Sequence, residues 1–152
     1  MLQRSQTLFL LGVFILSLFL LTGPITRFTL DGSDFILKHS GLFDAEGNEL
    51  GVATWPLSVI FIAGAALSFL NIFFYRHRMR QIRIAIFLIL LNAGMLGMMF
   101  FYTYMARIQL EGALTLHQWR FIIPPISIIL LYFAFRRIRR DELLVKAFDR
   151  IR

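Results

Sequence analysis

Four long apolar stretches constrain the fold of this chain more than any motif does. They cover about residues 7–22, 55–75, 84–106 and 116–135. An α-helix rises about 1.5 Å per residue, so roughly 20 apolar residues are needed to cross a bilayer core of roughly 30 Å. The second and third stretches meet this length, and the first and fourth need flanking apolar residues to reach it. We therefore expect an all-α membrane protein: one domain over residues 1–152, folded as an antiparallel four-helix transmembrane bundle.

The composition supports this class and excludes three others. Hydrophobic residues make up 58% of the 152 residues and charged residues 16%, and the mean hydropathy is +0.71. Soluble domains are nearer half apolar and a quarter charged. A chain of this size buries only about 70% of its surface, so a soluble fold would leave too much apolar area in water. An ordinary soluble enzyme and a disordered tail are excluded, and the absence of cysteine excludes a disulfide-stapled secreted module.

The distribution of basic residues predicts the orientation. Twelve of the sixteen Lys and Arg residues lie in the amino-terminal segment, the loop after the second stretch and the tail, and four lie in the other two loops. Cytoplasmic loops carry such an excess. We expect a multi-pass membrane protein with both termini in the cytoplasm. The basic residues form short clusters without a nucleic-acid-reading fold, so no nucleic-acid partner is expected.

The predicted external loop, residues 23–54, carries signals for β-structure. Apolar and polar residues alternate over residues 27–30, and a second β-like run covers residues 35–38. Turn formers follow at Asp31-Gly32-Ser33 and at Glu46-Gly47-Asn48. We expect a small extracytoplasmic β-hairpin or three-stranded sheet between the first two helices. The second external loop, residues 107–114, is short.

The sequence contains no recognisable catalytic constellation. No Asp, Glu or Lys lies within the four stretches, which counts against a proton-coupled transporter. His39, His77 and His117 fall in different segments and give no metal-ligand spacing, and no cysteine is present. We expect a non-enzymatic protein without a cofactor or metal.

Asn71 and Asn92 are the notable polar residues inside the stretches. They either line a site or form an interhelical hydrogen bond, which is typically worth about 0.6 kcal/mol and up to roughly 2 kcal/mol. The hydrogen bond is the favoured interpretation.

Two further features concern helix packing. Small residues recur at four-residue spacing, as Gly64 with Ser68 and as Ala93 with Gly97, which lets helix backbones approach closely. The partner is either a helix of this chain or another membrane protein. Pro124-Pro125 removes two backbone donors and predicts a kink or break in the outer third of the fourth span.

The basic clusters are candidate docking sites for anionic lipid at the cytoplasmic face or for another membrane protein. They comprise Arg76, Arg78, Arg80, Arg83, Arg136, Arg137, Arg139 and Arg140. The tail, residues 136–152, is predicted to be an amphipathic helix, because its apolar residues recur at i, i+3, i+4 and i+7. These are Leu144, Ala147, Phe148 and Ile151.

Three stretches of sequence resemble one family. Residues 1–8, MLQRSQTL, resemble the start M-I-Q-R-I-Q-T, and residues 72–83, IFFYRHRMRQIR, resemble the junction IF-[LF]-[YF]-x-x-R-x-x-Q-I-R. The ending, RRDELLV at residues 139–145 with DRIR at residues 149–152, resembles I-[RK]-[RK]-D-E-x-L-V … D-R-[IL]-R. The family is the uncharacterised membrane proteins called domain of unknown function 4293, found in Bacteroidota. The resemblance implies a four-span inner-membrane protein and no activity.

The layout is also similar to claudin-like tetraspan proteins, whose first external loop is β-structured. Gly41-Leu42-Phe43 stands where that group has Gly-Leu-Trp, and the paired loop cysteines are absent. This is an analogy of fold only.

The expected role is an accessory or scaffold subunit of a larger membrane complex. The alternative is a small transporter, channel or lipid-handling protein with a central cavity lined by Asn71, Asn92 and the kink at Pro124-Pro125.

Overall fold

The computed structural model describes residues 2–30, 32–111 and 113–149, without the side chains of residues 2–5, 76, 117 and 145–149. Four α-helices dominate these residues: α1 (Leu2–Leu21), α2 (Trp55–Phe73), α3 (Arg78–Gln109) and α4 (Ile123–Asp149). A 3-10 turn, Phe74–Arg76, joins α2 directly to α3, and a second one, Trp119–Ile122, leads into α4. The mostly helical fold is as predicted.

The helices form an antiparallel bundle in which α1 packs against α2 and α4, and α3 packs against the same two helices. Such an arrangement follows from short connections between consecutive helices. Two layers of buried apolar residues fill its interior. One layer contains Phe61 and Met95, and the other contains Leu10 and Leu131.

Apolar side chains also cover the outside of the bundle. Leu8 and Leu90 are each 66% exposed, and Val59 and Ile129 are exposed by more than half. A helix that is apolar on all sides belongs in a larger core or in a membrane. Three helices are long and apolar enough to cross a membrane: Trp55–Phe73, Arg78–Gln109 and Trp119–Leu144. The apolar part of α1, Gln6–Leu21, is shorter.

A four-stranded antiparallel sheet lies at one end of the bundle. Its strands are β1 (Thr26–Leu30), β2 (Ser33–Leu37), β3 (Leu42–Phe43) and β4 (Leu114–His117), in the order β3-β2-β1-β4. In the β1–β2 hairpin Phe28 faces Phe35, and Gly32 adopts a positive φ of 82° in the tight turn. The predicted hairpin and small sheet are confirmed, and Phe28, Leu37 and Leu42 pack with Ala106 of α3 in a third buried cluster.

The fourth strand was not predicted. The sequence predicts a short loop up to residue 114 and the fourth span from about residue 116, because Leu114 and Leu116 continue an apolar run. Instead residues 114–117 pair with β1, with Thr29 facing Leu114 and Thr26 facing His117. Helical structure therefore begins at Trp119 rather than at about residue 116.

Pro124 and Pro125 lie in the first turn of α4, where backbone N–H groups have no partner within the helix. The predicted kink or break in the outer third of a span is thus corrected: the prolines mark the start of the α-helix, after the 3-10 turn. At the other end α4 continues to Asp149, which confirms that the helix extends into the tail. The side chains that would form the apolar face of the tail, except Leu144, lie outside the described residues.

Candidate functional site

The end of the bundle where α1 begins and α4 ends, termed the termini end, contains a hydrogen-bonded polar cluster. The Gln6 amide donates to the Asp141 carboxylate, which joins α1 to α4. Arg78 of α3 donates from Nη1 to the Asp141 carbonyl oxygen at 3.0 Å. Gln6 is only 7% exposed and Asp141 is half-buried. One acidic residue of α4 thereby ties three helices together.

A second hydrogen-bonded contact at the termini end joins α2 to α3. Because α2 ends at Phe73, its last carbonyl groups lack partners within the helix. The Asn71 carbonyl oxygen accepts the backbone N–H of Phe74, and the buried Gln81 side chain supplies a second donor at 3.3 Å. The 3-10 turn before α3 places Gln81 there, and the Gln81 N–H in turn donates to the His77 carbonyl at 3.1 Å.

Gln6, Arg78, Gln81 and Asp141 fall in the three stretches on which the family resemblance was based. Only Arg78 was singled out in advance as a site residue. Gln6 and Asp141 are 135 positions apart, so their contact has no signal in local sequence. Polarity at the ends of apolar runs was the only available indication.

Neither Asn71 nor Asn92 forms the favoured interhelical hydrogen bond among the described residues. Asn92 donates from Nδ2 to the Leu88 carbonyl of its own helix at 2.8 Å. The Asn71 side chain is fully buried, and its amide finds no partner among the described atoms, as is also true of the Ser68 hydroxyl one turn away. Burying such a group without a hydrogen bond costs about 1–3 kcal/mol.

A cavity of about 610 Å³, termed the termini cavity, opens beside this cluster between α1 and the α2–α3 junction. Its wall is largely apolar, and its polar residues are Thr7, Tyr75 and the two buried amides Gln6 and Gln81. The lining residues are Gln6, Thr7, Leu8, Ile72, Phe73, Tyr75 and Gln81. This volume falls in the range of small-molecule sites, about 300–1,000 Å³.

A second cavity of about 360 Å³, termed the arginine cleft, lies on the α4 side of the same end. It is lined by Phe133, Arg136, Arg137, Arg140 and Asp141. All three arginines are exposed. Three guanidinium groups and one carboxylate make the cleft strongly cationic.

The arginine residues that were predicted as docking sites lie in three different environments. Arg136, Arg137 and Arg140 line the cleft, while Arg139 of the same helix is exposed but does not line it. Arg80 and Arg83 are exposed on α3, whereas Arg78 is engaged with Asp141. The Arg76 side chain lies outside the described residues.

The two pairs of small residues have different surroundings. Gly64 is buried, and a Cβ at this position would lie 3.0 Å from Met95 Cε and 3.4 Å from Leu91 Cδ2, so α2 and α3 meet closely there. Ala93 and Gly97 face outwards, and nothing lies within 4 Å of a Cβ built at Gly97 or at neighbouring Gly94. The first pair packs within this chain, and the second forms a shallow notch on the outside of α3.

Polar contacts at the opposite end fix the sheet to the helices. The hydroxyl groups of Thr26 and Thr103 are hydrogen-bonded at 2.9 Å within the buried region between β1 and α3. Arg120 donates to the carbonyl oxygens of Phe19 and Pro24. The exposed Asp44 accepts the backbone N–H of Asn48, which with further bonds in the same turn lowers the pKa of its carboxyl group. These contacts hold the architecture together.

In the described part of the chain, no group of three His, Asp or Glu side chains is placed to hold a metal ion. The polar features are instead hydrogen-bonding amides and guanidinium groups. Such groups bind and orient anionic or amide-containing molecules.

Long apolar helices with apolar outer faces define this chain as a membrane-type helical protein with a small appended sheet. The chain belongs to the family described as Domain of unknown function (DUF4293), whose model matches residues 2–151. The resemblance of the two ends and the middle of the sequence is thereby confirmed. No curated protein and no solved structure matches the chain. The claudin-like layout and the origin in Bacteroidota stay predictions.

Proposed function

We propose that this chain is a four-span protein of the bacterial inner membrane with its termini end in the cytoplasm. The apolar outer faces of α2, α3 and α4 support the placement in a bilayer, and α1 packs against two of these helices. All 20 residues of α1 span roughly 30 Å, enough for a bilayer core. The concentration of Arg residues at the termini end supports the orientation.

Within that membrane the chain acts as a non-enzymatic accessory subunit that binds a second membrane protein. The observation that carries this proposal is the exposed arginine pair Arg80 and Arg83 on α3, which forms no ion pair with a carboxylate of the described residues. Among the described side chains at this end, two are acidic, Asp141 and Glu142, and seven are basic: Arg78, Arg80, Arg83, Arg136, Arg137, Arg139 and Arg140. Charge complementarity therefore favours an acidic cytoplasmic segment of a neighbouring membrane protein as the partner.

Mild detergent extraction at low salt tests the proposal when it is combined with charge reversal. A membrane protein with an acidic cytoplasmic segment should co-purify in fixed stoichiometry with the tagged wild type. Arg80→Glu with Arg83→Glu should release it, whereas Arg27→Glu with Arg107→Glu, an exposed pair at the sheet end, should retain it. Acid-to-Lys exchanges in the partner's segment should restore binding to the reversed variant. Recovery of the wild type as a solitary monomer, or equal release by both double variants, would overturn the proposal.

A lipid- or solute-handling role is the second candidate, and the termini cavity favours it. The apolar wall suits an alkyl chain, and the buried amides suit a polar head group. Ile72→Trp would fill part of the cavity. Mass spectrometry of the purified protein should then detect a small molecule that the wild type retains and the variant loses. Equal retention by both proteins would contradict a role for this cavity.

A further inference from the structure

The arginine cleft has the geometry of a single anion site. Arg136, Arg137 and Arg140 stand at i, i+1 and i+4, so they project from one side of α4. They surround a concave space of about 360 Å³ rather than a flat surface. Their guanidinium groups present fixed forks of N–H donors that match the oxygens of a phosphate.

Aromatic rings lie at the cleft: Phe133 lines it, and Phe9 of α1 contacts both Phe133 and Arg137. The Arg137 guanidinium lies over the Phe9 ring at 5.2 Å from its centroid, and the Phe9 and Phe133 centroids are 6.0 Å apart. This cation–π contact holds Arg137 in place without neutralising its charge. Phe9 of α1 thereby helps to position one of the three guanidinium groups that line the cleft.

The positive charge of the cleft is compensated only in part within the described residues, because Asp141 supplies one carboxylate against three guanidinium groups. No described carboxylate forms an ion pair with Arg136, Arg137 or Arg140. Asp141 lines the cleft, but one of its carboxylate oxygens accepts the Gln6 amide. The site keeps an excess of positive charge, which an anion would neutralise.

The cleft lies next to the apolar part of α4, and this position favours a ligand that combines an anionic group with an apolar chain. The arginines directly follow the apolar run of the helix, whose outer residues Ile129 and Phe133 are 54% and 44% exposed. On the membrane placement proposed above, the cleft lies where lipid phosphates lie and the apolar run faces acyl chains. Basic pockets between helices on the cytoplasmic side are suited to lipid head groups. We infer that the arginine cleft binds the phosphate of an anionic glycerophospholipid, whose acyl chain follows α4 along Phe133 and Ile129.

Native mass spectrometry of the full chain in mild detergent, titrated with phosphatidylglycerol, tests this inference. Each phosphate-binding arginine removed should weaken binding about fivefold, so Arg136→Gln with Arg140→Gln should weaken it about 25-fold. Arg139→Gln is the matched control for the single variants Arg136→Gln and Arg140→Gln, because it removes the same single positive charge one residue from the cleft. It should alter binding by less than about twofold.

Three results would overturn the inference. Equal weakening by Arg139→Gln would show that attraction is spread over all basic residues. Equal binding of phosphatidylcholine would show that the cleft does not recognise anionic charge. Displacement of phosphatidylglycerol by an equal concentration of inorganic phosphate would show that the cleft binds a soluble anion rather than a lipid. The single variants Arg136→Gln and Arg140→Gln provide the same comparison should the double variant unfold. The measurement uses the purified chain alone, so failure to find a protein partner would leave a positive lipid result intact.

Discussion

At the scale of single residues, Asp141 is the most connected polar group of the termini end. Its carboxylate accepts the Gln6 amide from α1, and its carbonyl oxygen accepts Arg78 from α3. Hydrogen bonds to charged groups are worth about 1.5–3 kcal/mol, with the lower part of the range applying to a half-buried carboxylate. The cluster therefore stabilises the contact between the first turns of α1, the start of α3 and the last third of α4.

Gln6→Leu should lower the free energy of unfolding by about 1–2 kcal/mol, because it removes the donor and leaves the half-buried carboxylate of Asp141 without it. Thermal unfolding in detergent measures the change as a decrease in Tm of about 2–8 °C. Gln109→Leu is the control, since the exposed Gln109 donates only to the Leu50 carbonyl at the surface. Its effect should stay within about 0.5 kcal/mol. An equal loss in both variants would contradict the special role of Gln6.

At the scale of helices, small residues occur in two different environments: one set lies in a close helix–helix contact and the other lies on the exposed surface. Gly64 is buried against Met95 and Leu91, whereas Gly94 faces open space on the same helix that supplies those neighbours. A four-residue repeat of small side chains looks the same in both places. Only the rotation of α3 in the bundle decides which of its faces meets α2.

Gly64→Leu should destabilise the bundle by about 1–3 kcal/mol, because the added side chain would enter the packed α2–α3 contact. Gly94→Leu introduces the same atoms where nothing lies within 4 Å and should leave the stability unchanged or slightly raised. Thermal unfolding of the two variants under identical conditions gives the comparison. A stable Gly64→Leu variant, or a destabilised Gly94→Leu variant, would show that the rotation of α3 differs from the one described.

At the scale of the whole molecule, the proposed topology places Asn48 and Met79 on opposite sides of the membrane. Asn48 lies in the exposed turn after β3, and Met79 is an exposed residue at the start of α3. The chain contains no cysteine, so each position accepts a single reporter thiol without background. This makes the orientation directly measurable.

In intact spheroplasts, Asn48→Cys should react with a membrane-impermeant maleimide, whereas Met79→Cys should react only after permeabilisation. The physical reason is the retention of Arg-rich segments on the cytoplasmic side. Labelling in the opposite order would reverse the orientation, and labelling of both thiols in intact cells would contradict a membrane crossing by α2. Gly51→Cys and Arg80→Cys are matched second positions for the two sides.

Much of this architecture can be predicted from two features of the sequence: the length of its apolar runs and the alternation of apolar with polar residues. Runs of about 20 apolar residues specify helices wherever they occur, because their backbone groups must be paired within the segment in an apolar environment. The β1–β2 hairpin was likewise predictable, since alternation around Gly32 is a local signal. The family followed from three stretches of sequence alone.

Tertiary structure decided what joins distant parts of the chain. Strand β4 exists because the edge of β1 is available to it, although Leu114 and Leu116 continue an apolar run in sequence. The contact of Gln6 with Asp141, the unpaired amide of Asn71 and the cleft formed by Arg136, Arg137 and Arg140 depend on how the helices are rotated and placed side by side. Local sequence specifies the element and its apolar surface, whereas the partner of each polar group is set by packing over long separations in the chain.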